Sequence, residues 1–370
     1  MLKTIRQYDY KLAIAVIVLS VFGVIMIYSA SSYEGAINYG DAFFYVKKQI
    51  IALFLGIIAA IVFSQINIQG FRKYRYVILG VSLILLSLVF IPGLGIENYG
   101  AKRWINLKFT TFQPSEIAKF GMVIYFAAFM AEKDMKKFKN ILPVLLIGLA
   151  FCVLIMLEPN MSITMCCGFI MIIMLFISGV RLKHFLVLSV PIAAVLPVLI
   201  IMEPYRMGRI LAFIDPWASP RGEGYQLIQS YYALGSGGLF GVGLFNSRQK
   251  HLFLPFAESD FIFSIIGEEL GLIGAGLVML LCFYIIFRGI VIAYNAGDRY
   301  KTILAAGIIS VFAVQTILNI AVVTGSVPPT GLPMPFISAG GSSLVAFMAS
   351  IGLLLNISKG RNSTLSVLKP

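Results

Sequence analysis

Apolar residues in this chain come in long unbroken blocks, not in alternation with polar ones. Ten blocks stand out, over 12–30, 49–66, 76–92, 114–131, 141–157, 161–179, 184–203, 261–287, 302–325 and 340–357. A helix needs about 20 consecutive apolar residues to cross the hydrocarbon of a bilayer, so each block predicts one transmembrane helix. The third, fifth and tenth are short, and the eighth is long enough to tilt or project. A membrane β-barrel would show short segments of in–out alternation instead. The fold class expected is therefore all-α: one polytopic membrane domain over 1–370, with about ten transmembrane helices and both termini on the same side. The longest connection, 204–260, lies between helices seven and eight. The first block follows Lys3, Arg6 and Lys11 and ends in Ser29-Ala30-Ser31-Ser32. It resembles a secretion signal, but its apolar core exceeds the usual 7–15 residues, and it reads as a retained membrane anchor.

Composition sharpens this. Hydrophobic residues make up 59% of the 370 and charged residues only 12%. A soluble globular protein carries about twice that charge, and a disordered chain needs low hydrophobicity, so both are excluded. The four cysteines (Cys152, Cys166, Cys167, Cys282) all lie within apolar blocks and read as packed helix residues. Lysine and arginine orient the bundle. With the N-terminus in the cytoplasm, the inner segments hold 18 of the 29 basic residues and the outer ones 10, half of these in the 204–260 loop. That asymmetry places both termini in the cytoplasm. The net charge of +13 is accounted for by topology and anionic lipid headgroups, with no nucleic-acid partner needed.

The chemistry collects on the outer side. Nine of the 16 acids lie there, together with Trp104 and Trp217. In the long loop, Tyr225, Ile228, Tyr231 and Tyr232 recur at helical spacing, which predicts a short helix lying along the interface. The run Gly235 to Gly243 reads as a flexible hinge beside it. No Walker A sequence supplies an ATP motor. His184 and His251 fall on opposite sides of the membrane, and no metal-ligand spacing exists.

Ionisable groups in or beside spans are costly and call for a role. Glu116 and Lys119 stand three apart and share a helix face, as a structural or a functional pair. Asp260 stands at the outer lip of the eighth block, as a cap or a reactive carboxylate. Glu268 and Glu269, two turns deeper, are expected to bond neighbouring helices, and Glu158 to cap a short outer turn. The stretch 326–337 carries four prolines and no charge. It cannot form a regular helix, and non-helical backbone at that depth must be covered by protein or line a wet cavity. Asp260, the 101–119 segment and this proline loop together predict an outward-facing polar chamber.

Several ordered motifs then carry a resemblance. Gly100-Ala-Lys-Arg-Trp-Ile, Phe112-Gln-Pro-Ser-Glu-Ile-Ala-Lys119, Asp215-Pro-Trp, Gly224-Tyr-Gln, Asn246-Ser-Arg-Gln-Lys250, Ser259-Asp-Phe-Ile-Phe with the following Ile-Gly-Glu-Glu-Leu-Gly271, and Pro328-Pro-Thr-Gly-Leu-Pro with Gly340-Gly-Ser-Ser run from one end of the chain to the other. Together they resemble the SEDS family (shape, elongation, division and sporulation), and within it the FtsW/SpoVE branch more than RodA. The resemblance implies a ten-helix peptidoglycan glycosyltransferase that polymerises lipid II on the outer face of the membrane. Its implied partners are a class B penicillin-binding transpeptidase and the membrane proteins of the divisome or of sporulation. The family's essential aspartate falls on Asp260. Lys102, Arg103, Trp104, Glu116 and Lys119 fall on its other site positions. Arg209, Arg248 and Lys250 are further cations that would steady a departing pyrophosphate, with which a divalent cation could travel. The chain departs from the family pattern at Phe256, Glu258, Asn160, Ser162, Ile163 and Ala339. Glu258, two residues before Asp260, is expected to raise the Asp260 pKa by like-charge repulsion. A lipid II flippase, or a non-catalytic scaffold for the transpeptidase, would share much of this architecture.

Overall fold

The computed structural model describes residues 8–98, 101–106, 111–187 and 204–359. Helices dominate. In chain order they are α1 (Tyr10–Tyr39), α2 (Phe44–Gln65), α3 (Ile68–Lys73), α4 (Arg75–Leu88), α5 (Pro114–Glu132), α6 (Phe138–Leu157), α7 (Met161–Ile177), α8 (Pro204–Ile214), α9 (Tyr225–Gly237), α10 (Ile262–Tyr294), α11 (Arg299–Val323) and α12 (Gly341–Ser358). Among the described residues six of these are long and apolar enough to cross a membrane, and α4 and α7 are shorter apolar helices. Nine of the ten expected spans coincide with a helix. Of the seventh, 184–203, residues up to 187 are helical and the rest lie outside the described residues.

Side-chain exposure separates lipid-facing from central helices. α2 and the second half of α10 present Phe54, Ile58, Ile61, Leu277, Leu280 and Phe283 outward, as a helix in hydrocarbon does. α5 and α11 are instead buried along most of their length. They carry the buried polar residues Glu116, Lys119, Gln315 and Asn319. Pro114 opens α5 at its first turn, where a missing N–H costs nothing. Asp9 caps α1 by accepting from the Leu12 amide at 3.1 Å and pairs with Arg288 of α10.

Among the described residues one part forms strands. Gly95–Asn98 (β1), Ala101–Asn106 (β2) and Thr111–Phe112 (β3) form a three-stranded antiparallel sheet in the order β1-β2-β3. Ile105 pairs with Phe112 and Ile96 with Trp104.

The 235–243 segment is not the expected hinge. α10 breaks at Gly271 (φ 66°, ψ −168°), which frees carbonyls before the break and amides after it. The glycine segment passes through this gap. Val242 N donates to Glu268 O at 2.9 Å and Gly243 N to Glu269 O at 3.0 Å, while Leu272 N donates to Gly238 O at 2.9 Å. A methyl group on Gly271 would lie 2.4 Å from Gly241 N and 2.5 Å from Leu239 O. Glycine is used here for close approach and left-handed φ, not for mobility. α9 likewise docks on the bundle: Leu227, Ile228, Ser230 and Ala233 are buried, and Ser230 Oγ donates to Val323 O at 2.6 Å and lies 2.8 Å from Ser264 Oγ. Tyr232, placed on the anchoring face from sequence, turns outward against Trp217.

Gly271→Ala is expected to destabilise the protein by at least about 1–3 kcal/mol from backbone strain alone, with the steric clash in addition. Gly276→Ala, on the same helix with open space around it, should leave the melting temperature in detergent unchanged. Equal melting of the two variants would contradict the interlock.

Candidate active site

The turn 256–261 is closed by Ser259 N and Phe261 N donating to Phe256 O, and it delivers Asp260 just ahead of α10. Three successive carbonyls pin it. Glu258 O accepts from Ala339 N at 2.9 Å, Ser259 O from Ser338 Oγ at 2.6 Å and Asp260 O from Asn319 Nδ2 at 2.8 Å. Backbone this well held fixes where the Asp260 side chain can reach.

The proline loop forms the facing wall. Prolines keep their carbonyl acceptors but lack the N–H, so the loop is held by side chains from elsewhere. Asn319 also donates to Leu332 O (2.7 Å), Gln315 to Pro333 O (2.8 Å) and Arg209 of α8 to Pro329 O (2.7 Å). Gly331 N donates to Ser162 Oγ at 2.9 Å. Gln49 of α2 donates to Ser338 O and accepts from Gly340 N. A methyl group on Gly331 would come within 3.0 Å of Asp260 Oδ2, so glycine keeps the carboxylate clear.

The Asp260 carboxylate keeps partial access to solvent and makes no hydrogen bond to protein among the described residues. Burial pushes its pKa up to about 6, and the charges of Arg209 and Arg103 partly offset the rise. Burial, not Glu258, is therefore what raises it. The like-charge effect acts the other way: Glu258 is pushed up to about 7, first by its own burial, then by Glu34 and by Asp260. Arg103 arrives from β2. Alternation along the strand turns Arg103 and buried Ile105 inward and puts Lys102 and Trp104 on the other face. Arg103 donates to the carbonyls of Glu158 and Pro159. Glu158 is sealed, with neither carboxyl oxygen partnered among the described residues, so it does not make the expected cap, and burial raises it to about 8 despite Arg103.

The expected site residues thus divide. Asp260, Arg103, Arg209 and Glu258 gather beside the proline loop. Lys102 is exposed on β2, Trp104 is half-buried there, and Arg248 is exposed. Three expected substrate contacts are instead internal braces. Glu116 and Lys119 are 1% and 0% exposed and pair at 2.9 Å. Lys119 Nζ also donates to Gln315 Oε1 at 2.6 Å, so the pair acts through Gln315 on the proline loop. Lys250 is buried, with Nζ donating to Glu269 Oε1 (3.2 Å), Phe245 O (2.6 Å) and Ser29 Oγ (3.3 Å). Burial of both partners closes these ammonium groups to a ligand. Glu268 accepts from Ser247 Oγ and from the amides of Arg248 and Gln249, so Glu268 and Glu269 hold the 247–250 turn, and Glu269 also bonds Ser29 of α1.

Sequence reasoning missed Gln49, Gln315, Asn319 and Ser338. The spacing of Gln315 and Asn319, four apart in an apolar span, was the available signal, since polar side chains there bond across helices. Two departures from the family pattern have uses: Asn160 caps α7 through the Ile163 amide, and Ser162 holds Gly331. Among the described residues no group of three or more Asp, Glu, His or Cys could hold a metal ion.

Comparison with known proteins agrees with this architecture. The family model described as cell cycle protein, covering FtsW, RodA and SpoVE, matches residues 10–363. The chain is 39% identical over 358 residues to stage V sporulation protein E of Bacillus subtilis, covering 95% of this chain and 97% of the relative. It is 41% identical over 364 residues to the probable peptidoglycan glycosyltransferase FtsW of Coxiella burnetii, covering 95% and 96%. A solved structure described under structural coordination of polymerization and crosslinking by a peptidoglycan synthase complex superposes with a TM-score of 0.81 at 27% identity, covering 96% of this chain and 99% of that one. The rod shape determining protein RodA of Thermus thermophilus superposes at 0.72 with 25% identity, covering 96% and 98%. The chain is a multi-pass membrane protein that belongs to the FtsW/RodA/SpoVE family.

Proposed function

We propose that the protein is a peptidoglycan glycosyltransferase that polymerises lipid II at the outer face of the cytoplasmic membrane, with Asp260 as general base. What carries this is one carboxylate, set by three backbone clamps, partly open to solvent, flanked by Arg103 and Arg209 and ionised at neutral pH with a pKa of about 6. A general base works best with a pKa near the operating pH. Asp260 would take the proton from the 4-hydroxyl of one sugar as that oxygen bonds to the anomeric carbon of another. The bond from that carbon to the lipid pyrophosphate breaks in the same step, and the centre inverts. The pyrophosphate leaves with its electron pair and needs positive charge more than a proton, which Arg103 and Arg209 are placed to give. Lys102 and Arg248, both exposed, extend that positive field. A divalent cation, where one takes part, would arrive on the pyrophosphate. A class B penicillin-binding transpeptidase would receive the glycan, within the machinery of division or sporulation. Both termini would lie in the cytoplasm, as the distribution of basic residues requires.

The test is to give the purified protein, with its transpeptidase, labelled lipid II in detergent. Glycan ladders are expected. Scrambling of lipid II in vesicles without polymer would point to a flippase. Neither product, with partner binding intact, would point to a scaffold.

A further inference from the structure

We propose that the polar cavity at the end of the bundle opposite Asp260 binds the phosphate headgroup of an anionic phospholipid. Its volume is about 390 Å³, and Gln65, Asn67, Gln69, Lys301, Asn356 and Lys359 line it. The two ends of α12 fix its position. The Gly341 end joins the proline loop beside Asp260, while Asn356 and Lys359 at the other end face the cavity. Eighteen residues at about 1.5 Å each put the two sites about 27 Å apart.

The lining suits an anion. It contains two lysines and no acid. The carbonyls that end α2 would repel a phosphate, but they are already satisfied: Asn356 Nδ2 donates to Phe63 O and Ile66 O, and Lys359 Nζ to Ser64 O. Lys301 stands in the first turn of the 25-residue α11, where the helix dipole adds positive potential. Its ammonium makes no hydrogen bond or ion pair among the described residues. Lys73 lies at the same end, at α3, where the charges of Arg72 and Arg75 are shared with Glu132.

The surroundings suit a lipid more than a free ion. The outward face of α2 that ends at Gln65 presents Ile58, Ile61 and Val62, an apolar track for acyl chains directly beside the headgroup position. Basic pockets between spans on the cytoplasmic side are where anionic headgroups bind.

Native mass spectrometry and thermal melting of the full chain in detergent test this, with phosphatidylglycerol, phosphatidylcholine and inorganic phosphate as probes. Phosphatidylglycerol is expected to stay bound and raise the melting temperature, and phosphatidylcholine to do neither. Lys301→Gln should weaken phosphatidylglycerol about tenfold while the lipid-free protein melts as wild type. Lys301→Arg should restore binding, and Lys136→Gln, a charge loss away from the cavity, should not weaken it. Equal retention of the two lipids, or binding indifferent to Lys301→Gln, would overturn the proposal. Inorganic phosphate protecting as well as phosphatidylglycerol would replace the lipid with a soluble anion.

Discussion

Asp260→Asn is expected to cut polymerisation by about 10²–10⁴-fold, the usual contribution of a general base, without unfolding the protein. The amide fills the same space and leaves the three clamped carbonyls untouched, so loss of activity would report the missing base. The pH dependence supplies a second reading. Burial lifts the Asp260 carboxyl from 3.8 to about 6, so the folded state disfavours its ionised form. Stability from this group is therefore fully present below about pH 4 and is lost as the pH rises through about 6. Asp260→Asn lacks that loss, and at pH 8 it should melt no lower than the wild type. Wild-type polymerisation should rise with pH through the same window as the base ionises. Because Glu258 and Asp260 interact, the acid limb belongs to the pair, and Glu258→Gln should simplify it to one ionisation. An Asp260→Asn protein that polymerises at the wild-type rate would end the assignment, and one that aggregates would show the carboxylate to be needed for folding rather than for chemistry.

Lys119→Met is expected to cost about 3–5 kcal/mol, because it leaves the Glu116 carboxylate buried without its cation. Adding Glu116→Gln removes the stranded charge and should recover most of that loss. Activity should not recover in step. Gln315 loses the bond from Lys119 in both variants, and Gln315 holds Pro333 beside Asp260. A double variant with wild-type melting and lowered turnover would show the pair to be a positioning device. Full recovery of both would leave it a stability element only. Detergent melting curves and glycan ladders on the same preparations separate these outcomes.

These residues show what a linear reading can reach. Nine of the ten blocks located a described helix, because spanning hydrocarbon is a local requirement of each segment. The position of Asp260 at the lip of α10 was legible because the acid directly precedes an apolar block. The 95–112 sheet was not, since its strands are short and mixed in polarity with no clean alternation. The break in α10 was hidden inside an apolar block whose composition does not change at Gly271. The segment that fills the break lies about thirty residues away, so its glycines looked like a hinge. Lys250 was misread for a similar reason: its partners Glu269 and Ser29 are 19 and 221 residues distant, and only the packed bundle brings them together.

The proline loop is shaped less by its own sequence than by Gln315 and Asn319, one helical turn apart on α11, which grip Pro333 and Leu332 while Asn319 also grips Asp260. Its conformation is therefore not portable. A chimaera that imports only the 326–340 stretch of a relative would carry the words without the grammar, and one that exchanges α11 together with the loop is the unit that should graft.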